Sequence, residues 1–410
     1  MNIQQILFLN GDDETLNYFA KQMGQAFRMR GLLVRYGDLD AGEEERKALV
    51  QYLKTPTLVF LFSFRGLKRE TAVYDRQTGY IWQGEKSHAK VYHLLCDHPY
   101  HFFGRFQKLE EDRNRYGDFS YVHLSVDRNH KRFIDEHLNE KYPWMRENQF
   151  FPLAGNGFLD GAYEQQELWE KKKSHIVFTG NYTPQRHVKT YLNSLDSRRQ
   201  SFYRHIIKHM QTNPGVTLEQ ALLDVCDGNR EQMLQELKRS VFLDFYFRNE
   251  IRGSVIRNLA GAGLPLQLMG SGWEELWEQI PDNVTTLASG DSKACVKAIA
   301  ESKLALNIMP LFRDGAHDRV FTALLHGTIC ISDASDYLRE ELQAGEGIYY
   351  FVPGREEEIT GFVKELIESS DISRAVFGGI KIALGRENGY RKVSRKHTWE
   401  NRAEQLIRDC

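Results

Sequence analysis

The segment Asn307–Asp333 combines a charged loop with the predicted start of a helix. An apolar strand (LALNI) leads into this loop, and its charged residues are Arg313, Asp314, His317, Asp318 and Arg319. Unpaired N–H groups at a helix start attract anions, and Arg319 adds a full charge with two-pronged geometry. An arginine there opposes the helix dipole, so a bound anion would explain it. The pattern favours a diphosphate site; the alternative is a plain βαβ unit whose loop happens to be charged.

Two glycine-containing loops follow predicted strands in the same half of the chain. Their residues are Gly180, Asn181 and Tyr182 after Ile176–Thr179, and Gly270, Ser271, Gly272 and Trp273 after Leu266–Met269. Backbone N–H groups in such loops can hold phosphate oxygens, and glycine permits close approach. The alternatives are a turn closed by Pro184, and a Trp273 that packs on a helix Glu274–Ile280. Neither loop matches the dinucleotide fingerprint, which argues against a nicotinamide dehydrogenase.

Ionisable residues also follow two predicted strands of the N-terminal half. Asp12 and Asp13 come after the strand ILFLN, and Asp97 and His98 come after the strand VYHLL. Such side chains at a strand end can act as a general base towards a hydroxyl group, and for this role we favour Asp97 and His98. The alternatives are an N-cap role for the first pair and a structural role for the second.

The elements that would position these residues alternate between apolar strands and amphipathic helices. Over residues 1–165 the strands are continuously hydrophobic, which is typical of a parallel sheet covered on both faces. Helical periodicity then dominates from about 185 to 260 and predicts an inserted block of three or four helices. Strands resume from Leu266. We therefore predict an α/β chain with doubly wound domains at 1–165 and 166–390, and a final helix within 391–410.

At this point the sequence resembles a known family. GAHDRVFTALLHGTICISD is similar to the donor motif of GT-B glycosyltransferases, and more closely to the spore-maturation-protein-like branch of group 1. In the wider family two Glu residues eight positions apart bind the donor; these positions fall on Asp314 and Thr322 here. Thr322 departs from the pattern, and its hydroxyl could supply one hydrogen bond.

The resemblance implies two Rossmann-like domains facing a cleft, with the acceptor bound by the first and a uridine-based nucleotide sugar by the second. It implies a last helix that packs back on the first domain. The donor residues it implies are the two glycine loops together with Asp314, His317, Asp318, Arg319, Val320, Phe321 and Thr322.

The predicted activity is hexosyl transfer from this donor to a glycan, protein or small-molecule hydroxyl. The nucleotide sugar is a co-substrate; we predict no other cofactor and no metal. We interpret the Asp-Leu-Asp triplet at Asp38 to Asp40 as a turn rather than as a metal-binding Asp-x-Asp signature. The alternatives are a sugar-nucleotide epimerase and a non-catalytic binding protein.

Composition limits the partners and the compartment. Lys and Arg total 54 against 56 Asp and Glu, which gives a net charge of −2. The chain therefore lacks the excess of positive charge that would indicate binding to nucleic acid. Five scattered cysteines without a paired motif favour a reducing cytoplasm. No apolar run is long enough to span a bilayer, so we expect membrane contact to be peripheral at most. The sequence leaves open whether the chain forms a homo-oligomer.

Overall fold

A computed structural model describes residues 3–117, 121–158, 169, 171–355, 357–369 and 376–409. The chain divides into two compact units, Met1–Gly161 with Arg395–Cys410, and Ala162–Ser394. The boundary predicted after residue 165 lies outside the described residues. The boundary predicted after residue 390 lies inside a continuous helix, and the division falls at residue 394.

The first unit is built on a parallel sheet. Its strands are β1 (Gln5–Asn10), β2 (Leu33–Asp38), β3 (Thr57–Phe62), β4 (Tyr74–Asp75), β5 (Gly79–Tyr80), β6 (Ala89–Leu95), β7 (Tyr121–Ser125) and β8 (Asn148–Phe150). Its helices before residue 158 are α1 (Glu14–Met29), α2 (Gly42–Tyr52), α3 (Phe103–Tyr116) and α4 (Arg128–His137). Six strands pair in parallel in the order β2-β1-β3-β6-β7-β8. β4 and β5 form a small antiparallel hairpin between β3 and β6.

The central strand β3 explains why this sheet is covered on both faces. All six of its residues, TLVFLF, are buried, as a strand between two helical layers requires. Phe60 packs 6.0 Å from Phe8 of β1. Helix α1 begins where the side chain of Asp13 accepts from the Leu16 N–H at 3.1 Å. Helix α3, which sequence periodicity did not predict, has a mainly charged surface and buries only a few side chains.

The second unit contains another parallel sheet. Its strands are β9 (Lys173–Thr179), β10 (Leu266–Met269), β11 (Val284–Leu287), β12 (Ser302–Asn307), β13 (Ile329–Asp333) and β14 (Ile348–Phe351). Its helices are α5 (Arg186–Ser194), α6 (Ser197–Thr212), α7 (Leu218–Val225), α8 (Arg230–Ser240), α9 (Phe242–Gly261), α10 (Ser292–Glu301), α11 (Asp318–Leu325), α12 (Asp336–Glu341), α13 (Glu357–Ser369) and α14 (Val376–Lys396). The described part of the insertion therefore holds five helices, α5 to α9, where three or four were predicted.

The strand order of this second sheet identifies its ligand-binding edge. The order is β11-β10-β9-β12-β13-β14, so the chain builds outward from β9 on one side and then from β12 on the other. Such a reversal leaves a crevice at the carboxyl ends of the two central strands, where open α/β sheets bind ligands. The site is therefore expected just after Thr179 and Asn307.

The last helix, α15 (Trp399–Arg408), packs within the first unit. The Trp399 ring lies 5.3 Å from Phe19, and its Nε1 donates to Asn156 Oδ1 at 2.9 Å. Arg402 Nε donates to the carbonyl of Pro152 at 2.6 Å. These buried contacts explain why the chain end belongs to the N-terminal sheet.

Candidate active site

Arg319 lies at the reversal of strand order in the second unit. It is the second residue of α11, and its Nη1 donates to the carbonyl of Thr179 at the end of β9. Its guanidinium lies 5.3 Å from the centre of the Phe178 ring. Burial lowers the pKa of Arg319, which nevertheless stays charged at neutral pH. The structure thus fixes a positive charge where the crevice is expected.

A second arginine joins it from the helical insertion. Arg252 of α9 donates from Nη1 to the carbonyl of Asn181 at 2.7 Å, and lies 5.8 Å from the same Phe178 ring. Burial, followed by the charge of Arg319, lowers the pKa of Arg252 to about 9. Among the described residues, neither guanidinium has a carboxylate within 4.0 Å. The two charges are therefore available to an anion.

The two predicted glycine loops bind each other. The Gly180 N–H donates to the carbonyl of Met269 at 2.8 Å, and the Tyr182 N–H donates to the carbonyl of Ser271 at 2.9 Å. The Ser271 N–H donates to Asn181 Oδ1 at 3.0 Å. The loops after β9 and β10 thus form one rigid edge beside Arg252 and Arg319.

Glycine is required at two positions of this edge. Gly270 and Gly272 have φ angles of 144° and 86°, which disfavour any residue with a Cβ. A Cβ at Gly270 would lie 2.3 Å from the carbonyl oxygen of Gly180, and one at Gly272 would lie 2.1 Å from that of Tyr182. The glycines therefore serve the approach of one loop to the other.

Trp273 is part of the core of the second unit. Its ring is fully buried, stacks 5.2 Å from Tyr182, and lies edge-on 5.4 Å from Phe178. Its Nε1 donates to the carbonyl of Gly180 at 2.8 Å. The ring is thus not an open face for a nucleotide base. The helix predicted after it is a short turn, Trp273–Leu276.

His317 caps α11 and contacts the residues that follow it. Its Nδ1 lies 2.6 Å from Asp318 Oδ1 and accepts from the Arg319 N–H at 3.3 Å. Burial and then the charge of Arg319 lower the pKa of His317. The three predicted residues thus form one polar cluster at the helix start.

The other residues named from the motif lie deeper. Val320 and Phe321 are fully buried in the core, so they support the helix rather than face a ligand. Thr322 is also buried, and its hydroxyl donates to the carbonyl of Asp318 one turn earlier at 2.9 Å. Asp314 lies buried in the loop before the helix.

Asp333, at the end of β13, was not predicted as a site residue. It is 1% exposed, and its Oδ1 accepts from the Met309 N–H at 2.8 Å. Its Oδ2 and Asn307 Oδ1 are buried atoms without a hydrogen-bond partner in the described structure. Burial raises the pKa of Asp333 to about 6, although the charges of Arg313 and Arg319 act in the opposite direction. The feature of the sequence that could have identified Asp333 as a site residue is its position at the end of a predicted strand, in the pair Ser-Asp.

A pocket of about 320 Å³ opens beside this end of the sheet. Phe247, Ile251 and Leu311 supply apolar walls, and Glu250 and Arg313 supply charged groups. Leu311 has a φ of 55°, a strained value that non-glycine residues adopt mainly where the surrounding structure imposes it. The second unit thus offers a partly apolar cavity that is lined in part by the segments that follow β12 and β14.

The first unit has a pocket of its own, of about 460 Å³, at the carboxyl edge of its sheet. Asp12, Asp13 and Asp97 all line it, together with the buried guanidinium of Arg65. Asp13 is the N-cap of α1, as one alternative held. No hydrogen bond or ion pair engages the Asp12 carboxylate in the described structure. The structure thus brings together three of the four predicted catalytic residues.

His98 is separated from this pocket, although it follows Asp97 directly. It is buried, its Nδ1 accepts from the Tyr100 N–H at 3.2 Å, and its ring stacks 3.8 Å from that of Tyr100. His130 and Phe133 pack edge-on at 4.5 and 4.9 Å. These contacts favour the structural alternative for His98.

The Asp-Leu-Asp triplet forms a turn, since Asp38 Oδ1 accepts from the Asp40 N–H at 3.0 Å. Within the described ranges, no group of three or more His, Cys, Asp or Glu side chains could hold a metal ion. Of the helices that the structure describes, none is long and apolar enough to cross a membrane.

Comparison with known proteins identifies the fold of the chain and the family model that its C-terminal part matches. Residues 248–408 match a family model described as glycosyl transferase-like. Three solved structures share the fold over both units, each at 12% identity and a TM-score of 0.53. The chain carries a glycosyltransferase-like domain on a GT-B fold. A search of curated proteins found no match.

The three GT-B structures cover nearly the whole chain. HepE of Anabaena, in complex with UDP and glucose, covers 99% of this chain and 99% of its own. Sucrose-phosphate synthase of Thermosynechococcus elongatus covers 99% and 98%. An α-glucosyltransferase in complex with UDP-glucose and DNA containing an abasic site covers 98% and 98%. The resemblance to the spore-maturation-protein-like branch stays a prediction.

Proposed function

We propose that this chain transfers a sugar from a uridine diphosphate sugar to an acceptor hydroxyl without a metal ion. The observation that carries the proposal is the pair of guanidinium groups of Arg252 and Arg319 against Phe178. They lie at the reversal of strand order and have no carboxylate partner among the described residues. A diphosphate would supply the missing negative charge.

The reaction assigned to this site is a substitution at the anomeric carbon. The bond from that carbon to the diphosphate oxygen breaks, and a bond to the acceptor oxygen forms. The diphosphate leaves with additional negative charge, and fixed cations stabilise that charge most effectively in a partly buried site. Arg252 and Arg319, held by loop carbonyls, are such cations.

Sugar hydroxyls would satisfy the buried acceptors at the neighbouring strand ends. Asp333 Oδ2 and Asn307 Oδ1 lack hydrogen-bond partners in the described structure, which is costly for buried polar atoms. A donor sugar at the ends of β12 and β13 would provide O–H groups to both. We therefore assign them to the donor sugar rather than to the diphosphate.

Asp12 is the residue that we propose as general base for the acceptor. It is exposed, it lines the pocket of the first unit, and its carboxylate is unengaged in the described structure. The proton of the acceptor hydroxyl would pass to this carboxylate as the new bond forms. Asp97 lines the same pocket and is the second choice.

The test is UDP binding by calorimetry, together with product analysis for UDP-glucose and other UDP-sugars. Arg252→Gln and Arg319→Gln should each weaken UDP binding by about 10- to 150-fold, because one hydrogen bond to a charged group is lost. Arg257→Gln is the matched control, since this exposed arginine lies on the same helix as Arg252. Its affinity for UDP should be unchanged.

The products decide between the activities. Free UDP with a glycoside, or with free sugar when no acceptor is added, supports transfer. An isomerised nucleotide sugar would replace the proposal with epimerisation, and UDP-sugar binding without turnover would replace it with a binding role. Failure of the unaltered protein to bind any uridine nucleotide would refute the donor site.

A further inference from the structure

One face of helix α3 in the first unit is strongly basic. Arg105, Lys108, Asp112 and Arg115 follow one another at spacings of three, four and three residues, which places them on a single stripe. At 1.5 Å per residue this stripe is about 15 Å long. Its one acid is 2% exposed and is neutralised by Arg69, whose Nη2 lies 2.7 Å from Asp112 Oδ1.

The stripe borders a row of neighbouring pockets that starts at the proposed acceptor pocket. Lys68 and Arg105 line both that pocket and a second one of about 430 Å³. Arg69 lines both the second pocket and a third one of about 830 Å³. The shared lining residues place the three pockets side by side. We call this row of pockets the basic groove. Besides the buried Arg65, its basic residues are Arg46, Lys68, Arg69, Arg76, Arg105, Lys108 and Arg115.

Most of these charges are not neutralised by the protein. Arg69 pairs with Asp112, and Arg46 Nη2 lies 3.4 Å from Asp75 Oδ2. The remaining five have no carboxylate within 4.0 Å in the part of the chain that the structure describes. A chain with a net charge of −2 has no general excess of basic residues to explain this concentration. Clustered, unpaired cations beside a pocket attract anions.

Two aromatic residues of the groove lie beside its arginines. The guanidinium of Arg105 lies 5.7 Å from the Phe64 ring, and that of Arg69 lies 5.9 Å from the Tyr74 ring. Nucleobases are usually held by stacking on exposed aromatic rings, which these two rings do not offer. These two rings therefore add no stacking surface for bases, whereas the charges of the groove can hold phosphate groups.

We propose that the acceptor is a glycan or polyol chain that carries phosphodiester groups. The basic groove would hold its phosphates, so that a hydroxyl of the chain reaches the pocket of Asp12 and Asp97. The role as an acceptor rests on the proposed transferase function, whereas binding of the polymer to the groove does not. The expectation from net charge alone missed this site, because opposite charges elsewhere on the chain cancel it.

The test is binding of fluorescein-labelled poly(glycerol phosphate) with about ten phosphates to the full chain, followed by fluorescence polarisation at several salt concentrations. The variant is the triple substitution Lys68→Gln, Arg105→Gln and Lys108→Gln. Its matched control is Lys21→Gln, Lys54→Gln and Lys86→Gln, which removes the same charge from exposed lysines of the same unit.

The unaltered protein and the control should bind the polymer, with affinity that falls steeply as salt rises. The groove variant should bind at least about tenfold more weakly, and its salt slope should fall by about two, since up to three phosphate contacts are lost. A dextran of similar length should not bind. When the polymer and a UDP-sugar are added together, the unaltered protein should yield a glycosylated polymer.

Three outcomes would overturn the proposal: no binding of the polymer, equal binding by the two triple variants, or tighter binding of a ten-phosphate oligonucleotide. UDP binding measured on the same samples separates this failure from that of the transferase. UDP should bind the groove variant normally. If the unaltered protein binds the polymer but not UDP, the transferase function is refuted and the groove keeps its assignment as a polymer-binding site.

Discussion

Replacement of Asp333 by asparagine should stabilise the protein at neutral pH. Burial raises the pKa of this carboxyl from 3.8 to about 6. The folded protein therefore holds a proton on Asp333 between these values while the unfolded chain has already lost it. Stability falls as the pH rises through this window, and the cost above pH 6 is about 3 kcal/mol, because each tenfold change in proton affinity corresponds to about 1.4 kcal/mol.

Asparagine removes the charge and keeps an oxygen that can accept from the Met309 N–H. The free energy of unfolding of Asp333→Asn should exceed that of the unaltered protein by up to about 3 kcal/mol at pH 7.5. The difference should shrink towards zero as the pH approaches 4. Donor turnover should fall, since a group that binds ligand is often kept at a cost in stability.

The measurement is urea unfolding at pH 4, 5, 6 and 7.5, followed by circular dichroism and tryptophan fluorescence so that separate transitions of the two units are seen. Asp336→Asn is the control, because this carboxyl is exposed three residues along the chain. It should change stability by less than about 0.5 kcal/mol at every pH. A destabilised Asp333→Asn at pH 7.5, or a difference from the unaltered protein that does not vary with pH, would refute the reasoning.

Two further substitutions test the glycine loops and the altered family position. Gly272→Ala should destabilise the protein by about 1–3 kcal/mol and weaken UDP binding, because its Cβ would collide with the Tyr182 carbonyl. In Gly261→Ala the added Cβ meets no atom within 4 Å, so UDP binding should be unchanged. UDP binding by both variants is measured by calorimetry. Thr322→Val should cost about 1 kcal/mol of stability and leave the affinity for UDP unchanged, since its hydroxyl bonds to the Asp318 carbonyl. A tenfold loss of affinity would instead place this hydroxyl in contact with the donor.

Local pattern was enough to predict the fold class and most of the elements. Continuous apolar runs predicted the strands of both parallel sheets, and the predicted strand Leu266–Met269 agrees residue for residue with β10. Helix α1 begins directly after Asp13, which has the N-cap role that the sequence offered as an alternative. The predicted GT-B fold is confirmed by structures that share little sequence with this chain. Helix α3 was missed because its charged sequence shows little periodicity.

Strand-end position also identified much of the candidate site before the structure was known. Arg319, His317 and the glycine loops follow strands, and parallel strands bring such residues to one edge of a sheet. The sequence alone thus determined which loops lie at this edge of the sheet. It could not determine which side chains of those loops are open, since Trp273 and Phe321 turn into the core.

The tertiary structure decided what depends on distant segments. Arg252 lies in the middle of a helix, and only packing brings its guanidinium to Asn181, 71 residues earlier. Asp97 and His98 are adjacent in sequence, yet one lines a pocket and the other is buried, because successive side chains point in different directions. The basic groove joins α3 to Lys68 and Arg76 in the same way. Sequence patterns report local periodicity, whereas charge clusters arise from contacts that periodicity does not encode.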